Sequence, residues 1–246
     1  MKDYEMIFDF HTHTTFSHGK GSIEDNVKEG IRKGLKAIAI TDHGPGHMTY
    51  GIKREDIPKM REEINRLAPL YPEIEIYLGV EANIIDKDNN LDIMPEEFSM
   101  FDFVSAGYHF GIKNCYSAAN FMFRHGIGKS PRREQFLKDR NTKMVIGAIE
   151  KNNIKILTHP GDKAPVDIRA IAKVCAKTGT LMEINMRHPH LTADEIKIAA
   201  QEDVKFVISS DAHLSENVGI YEEAILRAQS AGLDLSRIVN IKKVEG

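Results

Sequence analysis

The chain is poor in the features that mark several large protein classes. Its 246 residues include two cysteines, no tryptophan and 7% aromatic residues, and its formal net charge is -3. Cys115 and Cys175 stand far apart with no C-x-x-C pair, so neither a disulfide framework nor a thiolate zinc site is indicated. Any metal must be held by His, Asp and Glu. No apolar run approaches the roughly 18 residues of a membrane span. The opening Met1-Lys2-Asp3-Tyr4-Glu5-Met6 lacks a basic-then-apolar signal, and a cytoplasmic protein with no membrane partner is expected. Near-balanced charge supplies no global field for nucleic acid, and an aromatic stacking platform is not evident, which argues against that partner. No linker, repeat or low-complexity stretch marks a boundary. Residues 1–246 are expected to form one domain, since β/α barrels of roughly 250 residues routinely do.

What the chain has is histidine. Eleven are present, and most follow short apolar runs. Asp9-Phe10-His11-Thr12-His13 opens the series and Asp211-Ala212-His213 closes it. In an extended segment side chains two apart share a face, which places Asp9, His11 and His13 together, and likewise Asp211 and His213. Between these ends, residues 37–41 run into Asp42 and His43, 74–80 into Glu81, 103–108 into His109, 154–158 into His159 and 205–210 into Asp211. A metal-capable residue thus closes six of seven runs, and the seventh, 179–185, ends in Glu183 and Asn185. One such histidine would be an ordinary core residue. Their shared placement at strand ends is that of a site on the C-terminal rim of a parallel β/α fold.

Helical segments separate these runs. Ser22 and Asp25 form a capping-box pattern before a helix that stops near Gly34, and residues 53–70 read as a second helix. Ser130-Pro131 opens a helix to Asn152, 166–178 ends at Gly179, Thr192 and Glu195 cap a helix to Gln201, and the last spans about 216–231. Seven strands alternating with helices predict a closed or nearly closed parallel barrel.

The strings Asp9-Phe10-His11-Thr12-His13, His18, Ile40-Thr41-Asp42-His43-Gly44-Pro45, Gly79-Val80-Glu81-Ala82-Asn83-Ile84, Thr158-His159-Pro160-Gly161, Leu181-Met182-Glu183-Ile184-Asn185 and Ser210-Asp211-Ala212-His213 resemble, in order, the metal motifs of the PHP (polymerase and histidinol phosphatase) superfamily. The resemblance runs from about residue 5 to about residue 240, and is strongest to the stand-alone YcdX-type phosphatases. It implies a distorted (β/α)7 barrel with three divalent transition-metal ions, zinc foremost, manganese or iron being used by relatives. It further implies that His11, His13, Glu81 and Asp211 hold one ion, His18, His43 and His213 a second, and Glu81, His109 and His159 a third. Glu81 would bridge two ions, and Glu81, Asp211 and His213 would be the residues on which catalysis depends. The segment from Phe110 to Arg133 is longer and more basic than the family pattern.

Imidazole suits zinc, iron or manganese, and a site without thiolates does not select zinc firmly. Clustered divalent ions yield hydroxide at neutral pH and clamp both oxygens of an in-line phosphoryl displacement, so hydrolysis of a small phosphate monoester is expected. Asp42 either caps the following turn or orients His43, and Asp9 carries the same two alternatives. Glu183 and Asn185 satisfy backbone groups or touch water and substrate. Arg187, His188 and His190 follow on a rim loop, either as solvated surface groups or together as a grip for phosphate. Arg124, His125, Lys129, Arg132 and Arg133 surround a helix start, either as a solvated face or as a lid that selects the rest of the substrate. His47, Met48 and Tyr50 are placed to line the same rim. Histidinol-phosphate phosphatase, a phosphodiesterase or exonuclease, and a non-enzymatic metal-binding module are the alternatives.

Overall fold

Strands and helices alternate along most of the computed structural model, which describes residues 3–85, 90–112 and 116–244. Strand follows strand with no α-helix between them from Tyr4–Met6 to Phe8–Thr12 and from Glu75–Asn83 to Phe103–Gly107, the latter pair separated by a 3-10 segment at Pro95–Met100. Cys115 lies outside the described residues, as does part of the Phe110 to Arg133 segment. In chain order the elements are β1 (Tyr4–Met6), β2 (Phe8–Thr12), α1 (Ile23–Arg32), β3 (Ala37–Ile40), α2 (Ile57–Leu67), β4 (Glu75–Asn83), β5 (Phe103–Gly107), α3 (Ser117–Arg124) and α4 (Pro131–Lys151). They continue with β6 (Ile154–Leu157), α5 (Ile168–Thr178), β7 (Leu181–Asn185), α6 (Ala193–Ala199), β8 (Phe206–Ser209), α7 (Glu222–Ser230) and β9 (Ile241–Lys243). Strands β2 to β8 form one parallel sheet in sequence order, as the seven apolar runs predict. The sheet curls into a nearly closed barrel with the helices between its strands. A small antiparallel pair, β1 with β9, was not expected.

Period-two alternation divides the strand residues between two cores. Ile38, Ile40, Leu78, Val80, Ala82, Val104, Ala106, Met182, Ile184, Phe206 and Ile208 join the larger core with the helices. Ile156, Leu181 and Val207 form a second cluster with Phe8, Phe10 and Phe103. These are the inward positions and they floor the barrel. Above them the inward positions turn polar, with Glu81, Ser105, Glu183, Asn185 and Ser209 all fully buried. Buried polar groups need partners, so this change of chemistry marks the site end of the barrel.

Strand β2 departs from simple alternation. Its register against β3 shifts between Asp9 and Thr12, the mark of a bulge. Phe8 and Phe10 face the floor, and the bulge lets His11, out of phase with them, also turn inward. Asp9 is therefore separated from the two imidazoles it was expected to accompany. Its carboxylate accepts hydrogen bonds from Ser210 Oγ at 2.5 Å and Gly219 N at 2.9 Å.

The barrel closes at a seam between β2 and β8. A parallel bridge joins Thr12 to Ala212 at its upper end. Lower down, the chain segment 238–240 fills the gap: Val239 N donates to Phe206 O and Ile7 N to Asn240 O. The fully buried Asn240 side chain donates to Phe8 O at 2.8 Å and Ile208 O at 2.7 Å, and accepts from Ile208 N at 3.0 Å. One amide thus stands in for an eighth strand.

The helices follow their caps. Ser22 with Asp25 and Thr192 with Glu195 make complete capping boxes, and Ser130 caps α4 before Pro131. Two expected helices are shorter. Pro58 falls near the start of α2, and residues 54–56 make only a 3-10 turn. The helix expected over 216–231 is broken because Gly219, at φ 71°, turns its N–H to Asp9. Helix α3, inside the basic segment, was not anticipated. No described helix is long and apolar enough to cross a membrane.

Candidate metal centre

Glu81 stands on the inward row of β4, two residues before the strand ends at Asn83, and lies at the middle of the polar layer. One carboxylate oxygen, Oε2, faces His43 Nδ1 at 2.8 Å, His11 Nε2 at 3.3 Å and His13 Nε2 at 3.7 Å. The other, Oε1, faces His159 Nε2 at 2.9 Å and His109 Nε2 at 3.2 Å. Asp211 Oδ1 lies 3.2 Å from His13 Nε2 and 3.3 Å from His213 Nδ1. His18 completes the ring group, with its centroid 4.1 Å from that of His213 and 4.9 Å from that of His43. All nine residues singled out as ligands are thus brought together.

Several of these atoms are buried without a hydrogen bond: His11 Nε2, His13 Nε2, His18 Nδ1, His43 Nδ1, Glu81 Oε2 and Asp211 Oδ1. Leaving so many polar atoms unpaired costs about 1–3 kcal/mol each, so something must satisfy them. Nitrogen and oxygen lone pairs aimed at common points are what divalent metals bind. Among the described residues, donor atoms gather within 4.8 Å of one another in four sets: His11, His13, Asp211; His13, His43, His213; His43, Glu81, His109; and His159, His188, Asp211. The residues present therefore fit metal ions. His188 in the fourth set was expected only as a substrate contact.

The electrostatics point the same way. Burial raises the Glu81 carboxyl, yet His11, His109 and His43 outweigh it and hold the group well below its usual range. Burial likewise opposes ionisation of Asp211, and His11 and His13 overcome it. His11 is the mirror image, since burial lowers it but Glu81, Glu183 and Asp211 raise it well above an ordinary imidazole. Burial pushes His109 to about 3, against the pull of Glu81. A cluster of buried carboxylates thus demands positive charge, while burial lowers His13, His18, His109 and His213 and favours their neutral, lone-pair-bearing form.

A further layer fixes the rings. Glu183 Oε1 lies 2.6 Å from His11 Nδ1, and Glu183 Oε2 accepts from His159 N at 2.7 Å and Asn185 Nδ2 at 2.9 Å. Asn185 also reaches Asp211 Oδ2 at 3.2 Å and accepts from the backbones of Arg187 and His188. Asp42 does not orient His43; it binds Thr14 N at 2.7 Å, Thr14 Oγ1 and Ser17 Oγ, so it holds the turn before His18. His109 Nδ1 meets Asn83 Oδ1 at 2.7 Å. Asn83 was quoted in a motif but given no role; its place two residues after Glu81 on β4 was the available signal. His159 (φ 28°) and Asp211 (φ 52°) both adopt the left-handed backbone that non-glycine residues avoid.

Above the cluster opens a cavity of about 220 Å³, lined by His18, His43, His47, Tyr50, His109, Phe110, His159, Lys163, Arg187, His188, Asp211 and His213. Arg187 Nη1 lies 2.7 Å from the His213 ring nitrogens. His188 is held between Asp162 Oδ2 at 3.1 Å and Asp211 Oδ2 at 3.3 Å. Burial lowers this imidazole, but the two carboxylates win and raise it to about 9. Lys163, missed in the sequence, pairs with Asp162 at 2.6 Å. The basic segment contributes less: Arg124 reaches Asp162 at 3.7 Å, Lys129 lies over Phe123, Arg133 binds Ile127 O, and Arg132 is exposed. None of these four lines the cavity. His190 turns aside to Glu195 at 2.9 Å.

Residues 9–187 match the family model for the PHP domain, and the chain belongs to that family. The resemblance drawn from its motifs is borne out. A probable phosphatase of Thermoanaerobacter sp. strain X514 is 30% identical over 251 residues, covering 96% of this chain and 91% of the relative. Probable phosphatase YcdX of Shigella flexneri is 29% identical over 245 residues, covering 95% and 89%. Histidinol phosphate phosphatase from Lactococcus lactis, solved with zinc, L-histidinol and phosphate, matches with a TM-score of 0.61 over 93% of this chain and 94% of that one. At 18% identity that likeness is one of fold.

Proposed function

We propose that this protein is a metal-dependent phosphatase that hydrolyses small phosphate monoesters, with three divalent ions held by His11, His13, Glu81 and Asp211, by His18, His43 and His213, and by Glu81, His109 and His159. The observation that carries it is the set of buried, unpaired imidazole and carboxylate atoms beneath a cavity edged by cations. Bound divalent ions supply Lewis acidity, which makes a nucleophile from water near neutral pH and offsets phosphoryl charge. The chain's own groups do the rest. Arg187 and Lys163 hold the phosphate oxygens, His188 is fixed by Asp162 at the cavity wall, and Glu183 and Asn185 keep His11, His159 and Asp211 in place. Relatives named probable phosphatases support the reaction class.

Elemental analysis together with phosphate release from p-nitrophenyl phosphate, before and after chelation, tests this reading. Bound transition metal and chelator-sensitive hydrolysis are expected. A metal-replete preparation with no transition metal, or hydrolysis indifferent to chelation, overturns it. Histidinol phosphate is the first individual substrate to compare, because the Lactococcus lactis structure of the same fold holds zinc, L-histidinol and phosphate.

A further inference from the structure

Asp92 lies outside the cavity and outside every donor set described above. It is nonetheless 6% exposed, and its carboxylate is engaged on two sides. On one side Oδ1 accepts from Asn83 N at 2.7 Å and Oδ2 from Asn83 Nδ2 at 2.5 Å. On the other, Oδ2 accepts from Gly46 N at 2.8 Å. The fit against that loop is close: a Cβ at Gly44 would collide with the carboxylate, and one at Gly46 would come within 2.6 Å of Asp92 Cβ. Arg54 secures the backbone, donating to Asp92 O at 2.8 Å.

A carboxylate only accepts, so the Asn83 atom facing Asp92 must be the amide nitrogen. That leaves Asn83 Oδ1 toward His109, 2.7 Å from its Nδ1. An amide oxygen also only accepts, which places the His109 proton on Nδ1 and the lone pair on Nε2. Nε2 is the atom that faces Glu81 and His159, at 3.2 and 3.1 Å. The same carboxylate pins Gly46, at the start of the turn that brings His47 and Tyr50 to the cavity.

We infer that Asp92 is a positioning residue which, through Asn83, sets the tautomer that makes His109 a metal ligand and at the same time ties down the turn bearing His47 and Tyr50. The inference rests on the metal centre proposed above. An asparagine at 92 would set its own amide hydrogens against donors on one side or the other. Its easiest relief is a flip of the Asn83 amide, which presents N–H to His109 Nδ1 and moves the ring proton to Nε2.

The test is a zinc titration against a chromophoric chelator at fixed pH, paired with nitrogen-15 NMR of the zinc-loaded protein, His109 being assigned with His109→Gln. The parent is expected to carry the His109 proton on Nδ1. Asp92→Asn is expected to weaken one zinc step by about 10–100-fold, the usual effect of losing a group that orients a ligand. The exchanged pair Asn83→Asp with Asp92→Asn restores an acceptor for His109 and a donor to hold it, though the new amide nitrogen still faces the Gly46 N–H, and is expected to recover part of the loss. A parent proton on Nε2 of His109 overturns the inference even if Asp92→Asn does not fold. So does parent-like zinc binding in Asp92→Asn, or an exchanged pair that folds yet binds no better than the single variant. A parent that binds no transition metal instead brings down the metal centre on which the inference rests.

Discussion

Replacing Asn240 by alanine tests how the barrel is closed. The substitution deletes three buried hydrogen bonds and leaves Phe8 O, Ile208 O and Ile208 N facing each other across the open edges of β2 and β8. Each buried group left unpaired costs about 1–3 kcal/mol, and partial relaxation keeps the total to roughly 3–5 kcal/mol. The backbone bond from Ile7 N to Asn240 O survives, so the segment is loosened and not released. A loss of that size is a large part of the 5–15 kcal/mol that typically holds a fold together. Urea unfolding of the metal-free protein, followed by circular dichroism, reads it as a lower midpoint at unchanged slope. A loss below about 1 kcal/mol would mean that water or a neighbouring strand replaces the amide, and that the seam is not held by this side chain.

Glu81→Gln is expected to reduce phosphate release more than Ala at Asn185, Arg187 or His188, because in the proposed arrangement this carboxylate holds two ions; near-normal turnover with full metal content would refute the bridging role. Glu183→Gln should weaken metal binding by about 10–100-fold, measured by chelator competition, since an amide cannot serve His11 Nδ1 and the His159 N–H together. Metal-free stability should peak near neutral pH. Burial places His109 at about 3 and His213 at about 4, so the unfolded chain binds extra protons below its ordinary imidazole value of about 6.5 and stability falls with pH from there. His188, raised to about 9, runs the other way: its contribution is complete below about 6.5 and is lost as pH rises through 9. Thermal midpoints in chelator that stay flat from pH 6.5 to 4 would contradict the acid limb. Neutralising Lys129, Arg132 and Arg133 should leave hydrolysis of a minimal aryl phosphate unchanged, as none of them lines the cavity; a fall in kcat would place them in the site.

The strands were legible because each apolar run has one side chemistry for the helices and another for the barrel. Convergence of the candidate ligands that follow apolar runs was legible for the same reason, since residues at the upper strand ends share one rim, whereas His18 follows no such run and entered only through the family resemblance. The arrangement around them was less so. No local signal separates a regular β2 from a bulged one, so Asp9 was grouped with His11 and not with Ser210 and Gly219. The break before α7 follows from that contact, which joins residues far apart in the chain. Asp162, Lys163 and His188 meet only when the loops after β6 and β7 are folded beside each other. The basic segment kept both its readings open, because charge density in sequence says nothing about direction; in the structure Arg124, Lys129, Arg132 and Arg133 do not line the cavity.

The left-handed backbone at His159 and Asp211 sets chemistry against fold economy. Such conformations cost of order 1–3 kcal/mol in non-glycine residues, and glycine or asparagine would relieve them. Selection for folding alone, in a stability screen or a consensus redesign of the metal-free chain, would favour His159→Gly and Asp211→Asn. It would thereby remove an imidazole and a carboxylate from the centre while the barrel grew sturdier. At these two positions a thermostable variant is more apt to be an inactive one, and a ranking by melting temperature would sort the library in the wrong order.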